Sequence, residues 1–241
     1  QLQLRPRLSV LRAWALFAQN QFASGQEALE TAWQVVKDRE DPQSSSLCGE
    51  IALARGVLSE LSNRDVVVMR EQALLAWQKI PPDHLMLRGL AAWLLGSSYY
   101  FEGDPINAEQ YFSQAVQLCR QAGNVYFTLV SIGDLTNVQR ELGRYREAFQ
   151  LLLKTEQEMS AGDQPHPMLG HLYVASSQIL LQWNDLAAAE QHLNLGIDLV
   201  AQGIPGEILI YGLSALPYLR LAQGRPEEAQ RLAQECLDKL E

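Results

Sequence analysis

Between its glycines and prolines the chain repeats one pattern. Apolar residues return at three- and four-residue steps, as in Leu90, Trp93 and Leu94 and again in Tyr111, Ala115, Leu118 and Cys119. This spacing lays an apolar stripe along one face of an α-helix. Ala, Leu, Gln, Glu and Arg dominate these segments, and alternating runs of β-branched residues are absent, so helices are predicted and a sheet is not needed. Breakers at Pro42, Pro81-Pro82, Gly123-Asn124, Pro165 to Pro167 and Gly203 to Gly206 mark one register of helix ends.

A second register lies half a period away. A turn of the form small or polar, any, bulky or Pro, any, any, small occurs at Asn20-Gln-Phe22-Ala-Ser-Gly25, Gly103-Asp-Pro105-Ile-Asn-Ala108, Gly143-Arg-Tyr145-Arg-Glu-Ala148, Asn184-Asp-Leu186-Ala-Ala-Ala189 and Gly224-Arg-Pro226-Glu-Glu-Ala229. A poorer copy is assigned to Asn63-Arg-Asp65-Val-Val-Val68. Gly or Asn accepts the left-handed conformation that ends a helix, and Pro105 and Pro226 sit near the next helix start, where a missing N–H costs nothing. The closing Ala or Gly lets the two helices of a hairpin approach. HEAT and armadillo repeats share the period but not this turn, nor the run Leu95-Gly-Ser-Ser-Tyr-Tyr-Phe-Glu-Gly103.

The expected fold is all-α: a tetratricopeptide-like right-handed superhelix, an α-solenoid of about six antiparallel helix pairs with a period of about 40 residues. Residues 1–241 are read as a single tetratricopeptide-repeat domain cut from a longer protein, with repeats at approximately 4–41, 44–81, 83–122, 124–162, 165–202 and 204–241.

Charge narrows the function. With 19 basic and 28 acidic residues the net charge is -9, the opposite of what a phosphate-backbone binder needs, so no direct nucleic-acid contact is expected. Cys48, Cys119 and Cys236 are an odd number spread far apart with no CxxC pair to suggest zinc, redox work or a disulfide framework, which fits a reducing compartment. The apolar stretch from Ile208 to Leu221 is shorter than a membrane span and contains Pro217. A cytoplasmic protein without membrane contact is expected.

Several segments carry a family likeness: Leu11-Arg-Ala-Trp14, Gly103-Asp-Pro-Ile-Asn-Ala-Glu109, Arg120-Gln-Ala-Gly-Asn124 and Leu181-Gln-Trp-Asn-Asp-Leu-Ala-Ala-Ala-Glu-Gln-His-Leu193. They resemble the tetratricopeptide-like sensor domain of the large, ATP-dependent MalT-like regulators of the LuxR family. The resemblance covers essentially the whole chain. It implies an effector-sensing domain between a nucleotide-binding switch ATPase and a DNA-binding helix-turn-helix domain, receiving a small-molecule inducer or a regulatory protein in its concave groove and controlling transcriptional activation and self-association. No GxxxxGK[ST] phosphate loop and no basic recognition helix occur in this segment, and no cofactor is expected in it. The alternative is a generic tetratricopeptide scaffold for a partner protein or peptide.

Counting back from each turn assigns helix faces. Ala92, Leu95, Gly96 and Tyr99 are expected to pack inward, while Trp93, Ser97, Tyr100 and Phe101 face the groove. The same offsets add Val10, Trp14 and Phe17, then Asn137, Arg140 and Glu141, then His171, Val174 and Gln178, then Tyr211, Ser214 and Tyr218. Aromatic faces with a few polar groups suit a sugar, a metabolite or an extended peptide. For any one of these aromatics, core packing is the simpler role.

Catalytic spacing is absent. His84, His166, His171 and His192 form no metal motif, and surface or capping roles are expected for them. Gly212-Leu-Ser214-Ala-Leu lacks the second glycine of a nucleophile elbow. Glu156, Glu158 and the Glu227-Glu228 pair read as solvated faces of amphipathic helices. The chain is expected not to be an enzyme, though its parent could carry a separate ATPase domain.

Overall fold

The computed structural model describes residues 5–159, 166–201 and 206–238, with side chains of the last span placed from residue 212 onward. Among the described residues there are twelve α-helices and no strand. They form six pairs: α1 (Pro6–Phe17) with α2 (Phe22–Val36), α3 (Pro42–Ser62) with α4 (Val66–Lys79), α5 (Leu85–Glu102) with α6 (Pro105–Gln121), α7 (Val125–Glu141) with α8 (Tyr145–Met159), α9 (Leu169–Gln182) with α10 (Leu186–Val200), and α11 (Gly206–Ala222) with α12 (Pro226–Asp238). This is the all-α tetratricopeptide-like arrangement that the periodicity demands.

Local chemistry sets the helix ends. Pro6, Pro42, Pro105 and Pro226 each occupy a first helical position, where no N–H is needed. Asp41, Asp65, Asp104 and Asp185 accept backbone N–H groups from the first turns of α3, α4, α6 and α10, side-chain caps that satisfy donors the helix itself leaves open. Between the helices of a pair, Asn20, Gly103, Gly143, Asn184 and Gly224 take positive φ of 57°, 84°, 75°, 61° and 73°. The next residue's N–H then reaches a carbonyl five residues back, as in Asp104 to Tyr99 at 2.9 Å and Arg144 to Gln139 at 2.7 Å, closing the helix end as a Schellman turn.

The second turn corrects the sequence reading by one residue. Its left-handed position is Arg64, φ 50°, not Asn63, and α4 starts two residues later at Val66. The aligned copy is therefore Arg64-Asp65-Val66-Val67-Val68-Met69, with fully buried Met69 at the small-residue position. Asn63 instead uses its side-chain oxygen to accept from the Ser59 hydroxyl at 3.2 Å.

Backbone packing divides the chain into two compact units, residues 1–131 and 132–241, the division falling within α7. In the first unit, Phe17, Leu29, Ala32, Val36, Ile51 and Ala54 belong to one buried cluster. A Cβ on Gly96 would lie 2.7 Å from the Phe112 ring, and one on Gly89 2.6 Å from Cys119 Sγ. Numbers fall along α6 as they rise along α5, so the pair is antiparallel and closely packed. Guanidinium groups cover aromatic faces around this core: Arg70 lies 4.2 Å from the Tyr99 ring centre and Arg88 3.6 Å from that of Trp77, contacts that stabilise by about 0.5–1 kcal/mol at exposed sites.

The second unit repeats the scheme. Val174, Leu180, Ala189, Leu193, Ala215 and Leu219 form its buried cluster across α9, α10 and α11. Burying each such Val or Leu side chain fully contributes about 1.5–3 kcal/mol. Pro217 lies in the interior of α11. Gly203, Ile204 and Pro205, part of an expected breaker, lie outside the described residues. Among the described residues no helix is long and apolar enough to cross a membrane.

Candidate ligand-binding groove

In the second unit, α7 and α9 lie side by side in parallel. The His171 imidazole sits on the bare backbone of Gly133, where an added Cβ would meet its Nε2 and Cδ2. Two turns further along both helices, Arg140 Nη1 donates to Gln178 Oε1 at 2.5 Å. The pairs 133 with 171 and 140 with 178 share one offset, which fixes the register. Gly133, Asn137 and Arg140 follow i, i+4, i+7 spacing, so one face of α7 presents all three. Arg140 Nη1 also donates to Asn137 Oδ1 at 3.0 Å. Asn137, Arg140 and Gln178, read from the sequence as groove residues, are thus joined in one network.

α11 packs on the other side of α9. Gln178 lines a small gap with Leu181, Ala215 and Leu219, and one repeat on from Gln178 stands Tyr218, 68% exposed. Ser214, one turn before it, is also exposed. Tyr211 belongs to α11, but its side chain lies outside the described residues.

Burial sets the ionisation of this unit. His171 is held down to about 4 because an imidazolium would lose its water there. His192 is lowered for the same reason and meets Tyr173 edge-on at 5.6 Å. Both histidines are half-buried, and His166 Nδ1 accepts the Met168 N–H at 3.2 Å as a turn-forming cap. Glu156 is also a correction: it is 8% exposed, accepts from Ser176 Oγ at 3.1 Å, and is raised to about 6 by burial against the opposing effect of that hydrogen bond. Glu158, two residues on, is exposed as expected. Arg220 joins α10, α11 and α12 through Glu190 at 2.5 Å and Glu228 at 3.2 Å.

In the first unit several expected groove residues are core instead. Phe17 is 4% exposed and lies on Gly25; Trp93 is 9% exposed and stands edge-on to Phe127 at 6.0 Å; Ser97 is buried. Val10, and Val174 of the second unit, are buried too. Each faces a neighbouring helix that removes it from solvent. Trp14 is half-buried against Phe17, Tyr100 is half-buried beside Phe101, and exposed Phe101 lies 5.1 Å below the Arg64 guanidinium.

The first unit also has a cleft that the groove reading missed, of about 740 Å³, between α2, α3 and α4. Glu27, Glu30, Arg55, Ser59, Asn63 and Gln72 are among its lining residues, and Arg55 pairs with Glu30 at 2.8 Å. No motif marks it. The one signal was the irregular second repeat, whose first helix, α3, is the longest at 21 residues. Among the described residues no group of three or more His, Cys, Asp or Glu is placed to hold a metal ion.

Comparison with known proteins follows the fold. In sequence, the chain is 23% identical over 238 residues to the HTH-type transcriptional regulator MalT of Yersinia pestis (strain Pestoides F), covering 96% of this chain and 26% of the relative. The MalT regulator of Yersinia pseudotuberculosis serotype O:1b (strain IP 31758) matches equally. The chain therefore spans about a quarter of the length of these curated relatives. In structure, it is similar to NprR in complex with its cognate peptide NprX, with TM-score 0.75, 14% identity, and coverage of 99% of this chain and 67% of that one. It is also similar to the apo form of RapI, with TM-score 0.67, 12% identity and coverage of 98% of both chains. The family model for the MalT-like TPR region matches residues 49–239, and the chain belongs to that family.

Proposed function

We propose that the chain is the effector-receiving domain of a MalT-like transcriptional regulator, taking a peptide or protein segment along the face formed by α7, α9 and α11. The observation that carries this reading is the run of polar and aromatic groups on successive helices: Asn137 and Arg140 on α7, Gln178 on α9, then exposed Ser214 and Tyr218 on α11. An amide network and a ring 68% exposed offer directional hydrogen bonds and contact area on that face. Tyr and Arg are effective anchors for a bound segment, because they combine contact area with directional hydrogen bonds. The fold similarity to NprR, whose structure holds a cognate peptide, supports the same reading. In the parent regulator, binding here would signal to an ATPase and a DNA-binding domain elsewhere in a cytoplasmic protein, with no catalysis or cofactor in this segment.

A second reading has its own observation. The cleft of about 740 Å³ between α2, α3 and α4 is of a size that holds a small molecule, so a small-molecule inducer could be received there. A thermal-shift screen of short synthetic peptides, oligosaccharides and metabolites tests both. The groove reading expects a stabilising peptide whose effect is lost in Tyr218→Ala. The cleft reading expects a stabilising small molecule lost in Arg55→Ala and indifferent to Tyr218→Ala. No stabilisation by any peptide contradicts the first.

A further inference from the structure

Arg140 is a half-buried cation held only by neutral groups. Its Nη1 donates to Asn137 Oδ1 at 3.0 Å and Gln178 Oε1 at 2.5 Å, and its Nε–H is buried without an acceptor. Among the described residues no carboxylate meets it, whereas Arg55, Arg70, Arg220 and Arg231 each pair with a glutamate. Removing a guanidinium from water without counter-charge, and leaving a dry N–H, costs free energy that two amide oxygens do not return. A link between α7 and α9 alone would be made as well by a neutral amide at position 140.

The geometry states what is missing. Both amides hold the same terminal nitrogen, so the guanidinium plane is fixed while the edge made by Nε and Nη2 stays without a partner. Nε is closed to solvent, so the terminal Nη2 is the charged donor that a carboxylate oxygen can reach, and a charge-assisted bond there supplies the missing counter-charge. The overall charge of -9 repels acids elsewhere, so an acidic group is accepted only where a local cation is set for it.

We propose that Arg140, oriented by Asn137 and Gln178, anchors a carboxylate of the peptide segment received in the groove; this rests on the groove reading above and names the chemistry recognised there. A C-terminal carboxylate and an acidic side chain share that chemistry, and three probes separate them: Ala-Ala-Ala with a free C-terminus, the same peptide as its C-terminal amide, and acetyl-Ala-Asp-Ala-amide. Each is titrated into the protein while the Arg140 Nε–Hε correlation is followed by NMR, the signal being assigned by its loss in Arg140→Lys. Saturable shifts at millimolar concentration are expected from at least one carboxylate probe and none from the amide, and Arg140→Gln is expected to abolish binding with its helical signal unchanged. A response to the first probe alone identifies a terminal carboxylate, and to the third alone an acidic side chain. If neither moves the Arg140 signal, or all three move it alike, the proposal is overturned; should Arg140→Gln not fold, the wild-type titrations still decide. A longer peptide that binds the groove with undiminished affinity in Arg140→Gln sinks the carboxylate anchor and leaves the groove reading standing, while a screen without any binding peptide sinks the groove reading itself.

Discussion

Gly170 of α9 and Gly196 of α10 meet backbone to backbone. A Cβ on Gly170 would lie 2.5 Å from the Gly196 carbonyl oxygen, and a Cβ on Gly196 2.8 Å from the Gly170 carbonyl oxygen. Neither obstacle is a flexible side chain that could swing away, so the helices must separate to admit a methyl group. Gly170→Ala and Gly196→Ala are each expected to destabilise the protein by about 1–3 kcal/mol, as overpacking does in a filled core. The helix-propensity gain of Ala over Gly, about 1 kcal/mol, offsets part of this and sets the lower end. Urea unfolding of the two variants measures the loss; a gain in stability at either position would show that the helices are not in contact there.

His171 makes stability fall in acid. Its ordinary value of 6.5 drops to about 4 in the fold, so the unfolded chain binds the proton more readily. The stabilisation is complete above about 6.5 and is lost as the pH falls through the folded value, a change on the order of 2–3 kcal/mol. In an NMR titration the His171 ring should stay neutral at pH 5.5, and His171→Asn should flatten the stability profile between pH 6.5 and 4. A ring that titrates near 6.5 contradicts its placement on Gly133.

Glu156 acts in the opposite direction. Its carboxyl rises from 4.5 to about 6, so the folded state is the better proton binder and stability drops as pH rises through that window. With allowance for the part of the group that water reaches, Glu156→Gln should stabilise the protein by about 1 kcal/mol at pH 7. The two proteins should be equally stable at pH 4. Equal stability at both pH values would mean that the carboxylate is hydrated.

Arg64 holds a left-handed conformation, φ 50°, that disfavours a side chain with a Cβ. Arg64→Gly relieves this by about 1 kcal/mol and gives up the guanidinium contact with Phe101 at 5.1 Å, which contributes about 0.5 kcal/mol at an exposed site. A small rise in thermal midpoint is expected, and a fall would mean that the Phe101 contact outweighs the strain.

The helix pairs were legible because turn chemistry is local: Gly103, Gly143 and Gly224 announce their positive φ by having no Cβ. Arg64 carries no such mark, which displaced the second turn by one residue. The charge of Glu156 points to solvent, but its position does not. It falls on the stripe that buries Ala148, Leu152 and Thr155 of α8, and that spacing outweighs residue type. Phe17 and Trp93 looked like groove platforms because offsets from the turn fix a helix face but not which neighbour covers it. Asn137, Arg140 and Gln178 meet in one network, a junction that depends on the parallel register of α7 and α9, which no pattern within one helix encodes.

The central claim is that the face of α7, α9 and α11 receives a segment of another chain. Its most direct test is hydrogen–deuterium exchange of the protein with and without a peptide selected for binding from a displayed random library. Protection concentrated on α7, α9 and α11, with α8, α10 and α12 unchanged, is the predicted result. Protection confined to α8, α10 and α12, or a library that yields no binding peptide, would contradict it.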